Sequence, residues 1–338
     1  MSAKCFRILS IDGGGIRGII PGQILVNVEE LLRQETHNPQ ARLADHFDLI
    51  AGTSTGGILT CAYLMPSADD TSRPRYTAKE AVDLYLEWGD DVFQASVFHR
   101  MRTAGGTLDE RYPADGLEGV LLRYFGDTRL SKLLRPCLIT SYDIFHRRAH
   151  FFSQHDAISK GDGWDFLVRD VARATSAAPT FFETARVVSG TQLPYALIDG
   201  GVFANNPTMC AFAEAAAAGG KSDPTALAIL SLGTGRVNKA YQYSVAKDWG
   251  LIGWVGPLID ILMSGVSETV DYQMRKLFDS AGAGNRYMRI DPSLENAKPE
   301  MDNVDRENLI ALREAGQQAA QHHADALRAF ITNYLIAT

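Results

Sequence analysis

The sequence predicts an α/β protein: three layers, α/β/α, around a mainly parallel central sheet. Three observations predict it. Short apolar runs stop at glycine loops, apolar residues then recur at helical spacing, and this unit returns along 338 residues. That length exceeds twice the commonest domain size. α/β folds with a large sheet reach it as one unit, so a single domain with excursions over residues 1–338 is expected.

The first strand is read at residues 6–11, which are largely apolar and end at Asp12 before three glycines. After the loop Asp12-Gly13-Gly14-Gly15-Ile16-Arg17-Gly18, Ile20, Ile24, Leu25, Val28, Leu31 and Leu32 follow a helical spacing. Residues 47–51 form a second strand, which enters Gly52-Thr53-Ser54-Thr55-Gly56-Gly57 and then a helix near residues 58–64. Residues 67–127 break the alternation as a helical and loop excursion placed to lie over a site. Further strands are expected at 137–144, 195–198 and 226–232, with helices at 164–174 and 207–218. A last helix near 305–335 sets Leu309, Leu312, Ala319, His323, Leu327, Phe330 and Tyr334 on one side, the pattern of a helix docked on the body. Sheets of this kind carry their sites beyond the carboxyl ends of the strands.

Composition narrows the function classes. The 46% hydrophobic and 22% charged residues exclude a disordered, collagen-like or disulfide-dense chain. Thirty-three Lys and Arg against 40 Asp and Glu leave a net charge of −7, which argues against nucleic acid as a partner. Cys5, Cys61, Cys137 and Cys210 lie far apart, without metal-ligand spacing, and read as reduced core residues. The N-terminus has no room for a secretory segment, so a cytoplasmic protein is expected. The apolar window 249–266 contains Gly250, Gly253, Gly256, Pro257 and Asp260, which would break and charge a membrane-spanning helix. It reads as a buried segment or a cavity wall in preference to an exposed contact surface.

Gly52-Thr53-Ser54-Thr55-Gly56 matches G-x-S-x-G between a strand and a helix, where a sharp turn lifts a serine hydroxyl clear of the sheet. Ser54 is the candidate nucleophile. A serine needs a base, and none of the eight histidines sits in a glycine-flanked loop just after an expected strand. Asp199, closing a strand in Ile198-Asp199-Gly200-Gly201, could accept the proton directly or could merely shape a turn. The amides of Gly13, Gly14 and Gly15, at the positive end of the following helix, suit an oxyanion or a phosphate. Arg17 could add a cationic donor or hold the loop in shape. The loop also spells G-x-G-x-x-G. The acidic residue that a dinucleotide site needs at the end of the second strand is absent, so an oxidoreductase is disfavoured.

Taken together, the Asp12 to Gly18 loop, the Ser54 elbow and Asp199-Gly200-Gly201 resemble the patatin-like phospholipases. Thr175-Ser176-Ala177-Ala178-Pro179-Thr180-Phe181-Phe182 and Asn205-Asn206-Pro207 are similar to further segments of that family. The resemblance runs from Phe6 to about Gly235. It implies a Ser54–Asp199 dyad, an oxyanion hole from Gly13, Gly14 and Gly15, no metal or organic cofactor, and hydrolysis of phospholipid or other acyl-lipid esters through an acyl-enzyme, with peripheral membrane contact. Plant storage members carry a secretory signal that this chain lacks, which makes it more similar to intracellular bacterial relatives. Some of those answer to a cyclic-nucleotide activator, and no residue here marks such a small molecule. A catalytically silent lipid-binding module is the competing reading.

Overall fold

The computed structural model describes residues 5–93, 114–219, 223–237 and 240–336. Eight strands are described: β1 (Phe6–Ile11), β2 (Leu49–Thr53), β3 (Cys137–Asp143), β4 (Arg148–Ser153), β5 (Ala185–Val188), β6 (Pro194–Asp199), β7 (Leu227–Leu232) and β8 (Tyr287–Ile290). They form one sheet in the order β5-β6-β3-β2-β1-β7-β8, with β4 on β3. The run β3-β2-β1-β7-β8 is parallel, and β4, β5 and β6 join antiparallel. Strands β4, β5 and β8 escape the sequence reading because Arg148, Arg186 and Arg289 interrupt their apolar pattern, and β5 and β8 run only four residues each.

The named helices are α1 (Ile19–Glu35), α2 (Thr55–Leu64), α3 (Ala78–Phe93), α4 (Ala114–Phe125), α5 (Val168–Thr175), α6 (Thr208–Gly219), α7 (Leu251–Ser280), α8 (Arg306–His322) and α9 (Ala324–Phe330). Alternation along β1 sorts the layers. Leu9 and Ile11 pack with Ile20, Ile24 and Val28 of α1 and with Leu312 and Leu327 of α8 and α9. Ile8 faces the other side, with Ala211 and Ala215 of α6 and Met274 and Phe278 of α7. Sheet faces of this parallel type are covered on both sides.

Two expectations need correction. The single C-terminal helix is three pieces: α8 stops at His322, α9 follows, and a π-helical turn ends at Leu335. The window 249–266, read as a buried segment or a cavity wall, lies largely in the 30-residue α7 and is only partly covered: Ile259, Leu262 and Met263 line a cavity, while Trp254, Leu258 and Ile261 are exposed. Pro257 stands in the second turn of α7, where the missing N–H forgoes one bond to the Gly253 carbonyl and leaves the rest of the ladder intact. Part of the excursion, residues 94–113, lies outside the described residues.

One feature of the sheet positions the site. The first half of β3 pairs with β2, ending at Thr53 opposite Thr140, and its second half pairs with β6, beginning at Asp199 opposite Ser141. The carboxyl ends of β2 and β6 therefore meet at two consecutive residues of one strand.

Candidate active site

Ser54 follows Thr53 directly and turns the chain into α2 with φ 53° and ψ −122°, a backbone region that few non-glycine residues occupy. The turn requires glycine two residues on, since a Cβ at Gly56 would lie 2.2 Å from the Ile11 carbonyl oxygen. The Ser54 amide donates to Thr175 Oγ1 at 2.9 Å, and that hydroxyl donates to the Thr140 carbonyl at 2.7 Å. The strained turn is thus tied back to β3.

Asp199 closes β6 and is buried. Its carboxylate accepts from the Gly201 amide at 2.7 Å and lines the same cavity as Ser54, whose hydroxyl favours its charged form. Burial pushes this carboxyl up to about 7, against the opposing pull of the Ser54 hydroxyl and the Gly201 amide. No histidine is among the residues that line the cavity around Ser54.

The Gly13 to Gly15 loop runs beside this pair. A Cβ on Gly13 would stand 3.3 Å from Ser54 Cβ and 2.4 Å from Asn205 Oδ1, so only glycine allows the approach. The three amides are not equivalent. Gly13 donates to the Asn205 carbonyl at 3.0 Å, while among the described residues neither the Gly14 nor the Gly15 amide finds an acceptor. Of the three expected oxyanion donors, the free ones are therefore Gly14 and Gly15. Thr55, whose amide opens α2 and lacks a helical acceptor, is a further donor beside Ser54. The Gly13 carbonyl accepts from Thr234 Oγ1 at 2.7 Å, and Asp12 takes both arms of the Arg289 guanidinium, whose side chain is nearly covered, at 2.8 and 2.6 Å. Burial would lower the Arg289 pKa, yet the Asp12 charge overrides it and keeps the guanidinium protonated.

Ser54, Thr55, Gly15 and Asp199 open onto a cavity of about 150 Å³ whose other walls are almost wholly apolar. Leu84 and Tyr85 of α3, Leu117, Leu121 and Phe125 of α4, and Ile259, Leu262 and Met263 of α7 supply them. The excursion read at residues 67–127 thus covers the site with the parts of it that are described. On the far side of Met263 and Met301, which line both spaces, lies a polar cavity of about 820 Å³. Arg17 lines that second space and not the first. It is buried, its Nε reaches only the Gly14 carbonyl at 3.4 Å, and no carboxylate of the described residues stands within ion-pair distance. Burial lowers its pKa, and the charges of Asp260 and Asp291 oppose the fall. Among the described residues no cluster of three or more His, Cys, Asp or Glu side chains is set to hold a metal.

The family model described as patatin-like phospholipase matches residues 9–212, more than half of the chain, including the Gly13 to Gly15 loop, Ser54 and Asp199. This chain belongs to the patatin-like phospholipase family. Patatin-like protein 3 of Arabidopsis thaliana is 35% identical, the aligned region spanning 92% of this chain and 79% of that protein. Patatin-like protein 1 of Oryza sativa subsp. indica is likewise 35% identical, over 92% of this chain and 80% of its own length. A Solanum tuberosum relative at 32% identity, covering 92% of this chain and 85% of its own, is named probable inactive patatin-3-Kuras 1. Patatin-like relatives thus include one whose name denies it activity.

Several residues of this patatin-like site escape sequence reasoning. Arg289 and Thr234 come close to the glycine loop only through the parallel pairing of β7 and β8 beside β1. Thr175 had a signal, since it opens the Thr175 to Phe182 segment, but a threonine that braces a nucleophile's amide looks like any other threonine in a sequence.

Proposed function

We propose that this chain is a serine lipid acyl hydrolase, of phospholipase A or lysophospholipase type, in which Ser54 and Asp199 form the catalytic dyad. The observation that carries the reading is the meeting of a strained, buried serine and a buried carboxylate, at two strand ends joined on β3, in the wall of one apolar cavity. Ser54 Oγ attacks the ester carbonyl carbon while its proton passes to Asp199. The amides of Gly14, Gly15 and Thr55 receive the oxyanion. Asp199 then returns the proton to the leaving alcohol, and the acyl group remains on Ser54. Water, deprotonated by Asp199, attacks the acyl-enzyme, releases the fatty acid and restores the serine. Four cysteines without disulfides fit a reducing compartment such as the cytoplasm.

Arg17 supports a second element of the reading: a phosphate recognised in the polar cavity while the acyl chain lies in the apolar one. The phosphate belongs either to a lipid head group or to a free phosphate compound that regulates the enzyme. Glycerophosphocholine and a panel of cyclic dinucleotides, each added to a short-chain ester assay with wild type and Arg17→Gln, separate the two. Inhibition by the first marks a head-group site, stimulation by the second marks an activator site, and no response to either refutes the role of Arg17.

The test of the dyad is turnover of a short-chain chromogenic ester with fluorophosphonate labelling. Wild type is expected to turn over and label at Ser54. Ser54→Ala is expected to lose both, and folded Asp199→Asn to lose turnover by at least a thousandfold. A folded wild type that neither labels nor turns over favours the silent module.

A further inference from the structure

The first half of α7 carries Trp254, Leu258, Ile261 and Leu262 with 41, 45, 41 and 46% of their surface exposed. Their spacing puts all four on one stripe of the helix. Large apolar side chains grouped in this way mark a contact surface, whereas scattered ones do not. Upstream, Tyr241 packs edge-on against Trp249, and Trp249 edge-on against Trp254, at 5.1 and 5.0 Å between rings. Tyr243 and Val245 beside them are also exposed.

Two neighbours say what this stripe meets. Leu262 belongs to the stripe and also lines the apolar cavity that holds Ser54, as do Ile259 and Met263 on the adjoining side. The exposed apolar surface is therefore continuous with the acyl-binding wall. Asp260, Ser264, Ser267 and Glu268 turn to the polar cavity, so the helix divides an apolar side from a polar one. No helix of the described residues is long and apolar enough to cross a membrane.

We infer that this stripe of α7 docks on the surface of a phospholipid layer and lets an acyl chain pass from the layer into the cavity. The inference rests on the acyl-hydrolase reading of that cavity. The contact is flat and interfacial: residues 254–262 span roughly 12 Å along the helix axis. Four half-exposed side chains offer on the order of 300 Å², short of the roughly 800 Å² per partner of a stable protein interface. Lys247 is the only basic residue between 240 and 274, and the chain carries a charge of −7, so apolar insertion rather than attraction to anionic lipid holds the contact.

The experiment is co-sedimentation of the full chain with phosphatidylcholine vesicles, alongside turnover of a short-chain ester in free solution. Wild type and Ser54→Ala are expected to bind vesicles equally. Leu258→Glu and Ile261→Glu, which touch neither cavity, are expected to lose vesicle binding and vesicle-substrate hydrolysis at least tenfold while keeping free-ester turnover within twofold. Ile158→Glu, an exposed residue near the opposite edge of the sheet, is expected to bind as wild type does. Wild type that leaves vesicles unbound, stripe variants that bind normally, or an equal loss in Ile158→Glu overturns the inference. So does a stripe variant that converts a dimer to a monomer, because the face is then a contact between two copies. Free-ester turnover judges the dyad separately, since vesicle binding by Ser54→Ala needs no catalysis.

Discussion

Asp199 has an elevated carboxyl because burial disfavours its charge, and a proton acceptor must be charged to work. Activity on a short-chain ester is therefore expected to rise with pH along a single ionisation near 7, falling about tenfold per unit below it. A profile flat from pH 5 to 8 would remove Asp199 from the role of base. The same shift has a cost in stability. Between the ordinary carboxylate value of 3.8 and about 7, the folded protein keeps a proton that the unfolded chain has released, so stability falls as pH rises through that window. Asp199→Asn removes this penalty, and at pH 8 it is expected to be inactive yet more stable by as much as roughly 4 kcal/mol, read by chemical denaturation. A less stable variant would mean that the carboxylate's bond to Gly201 and its attraction to the Ser54 hydroxyl outweigh its desolvation.

Elements decide which parts of the site are legible. The Ser54 elbow could be read because strand, glycine turn and helix are contiguous, and each glycine is demanded by a neighbour only a few residues away or on the adjacent strand. Asp199 could be read as a strand end and as a candidate base, but its local sequence left a turn-forming role equally open, since only the meeting of β6 and β2 on β3 brings it to Ser54. Arg289 could not be read at all. It lies opposite Ser231 in the β7–β8 pairing, one step from the strand that hydrogen-bonds Asp12. α7 was illegible for another reason: Gly253, Gly256 and Pro257 are breakers locally, and packing of Met274 and Phe278 in the core outweighs them. Arg289→Met leaves Asp12 buried without its partner and is expected to cost about 3–5 kcal/mol, with the glycine loop loosened and turnover reduced. Thermal unfolding that matches wild type would show the pair to be dispensable.

At the scale of the molecule, the matched family region and the folded unit do not coincide. The family match ends at residue 212, yet β1 takes its second neighbour from β7, and its loop takes Arg289 from the end of β8. A chain ending at Gly219 would leave one edge of β1 bare and Asp12 unpaired. It is expected to show no cooperative thermal transition and to aggregate, by differential scanning fluorimetry and light scattering. A compact, labelled fragment would show that the C-terminal third is an accessory. The sequence reading treats that third largely as composition, although it carries the loop's counter-ion and one wall of the cavity.

Thr140 and Ser141 sit side by side on β3, and each holds one of the two strand ends that carry Ser54 and Asp199. The spacing of the reacting groups is thus set by a single peptide unit, whatever the length of chain that wanders between Ser54 and Asp199. Insertions in that stretch, including the helices roofing the cavity, can reshape which lipids enter without detuning the proton transfer. Diet and chemistry are separately heritable in such an architecture.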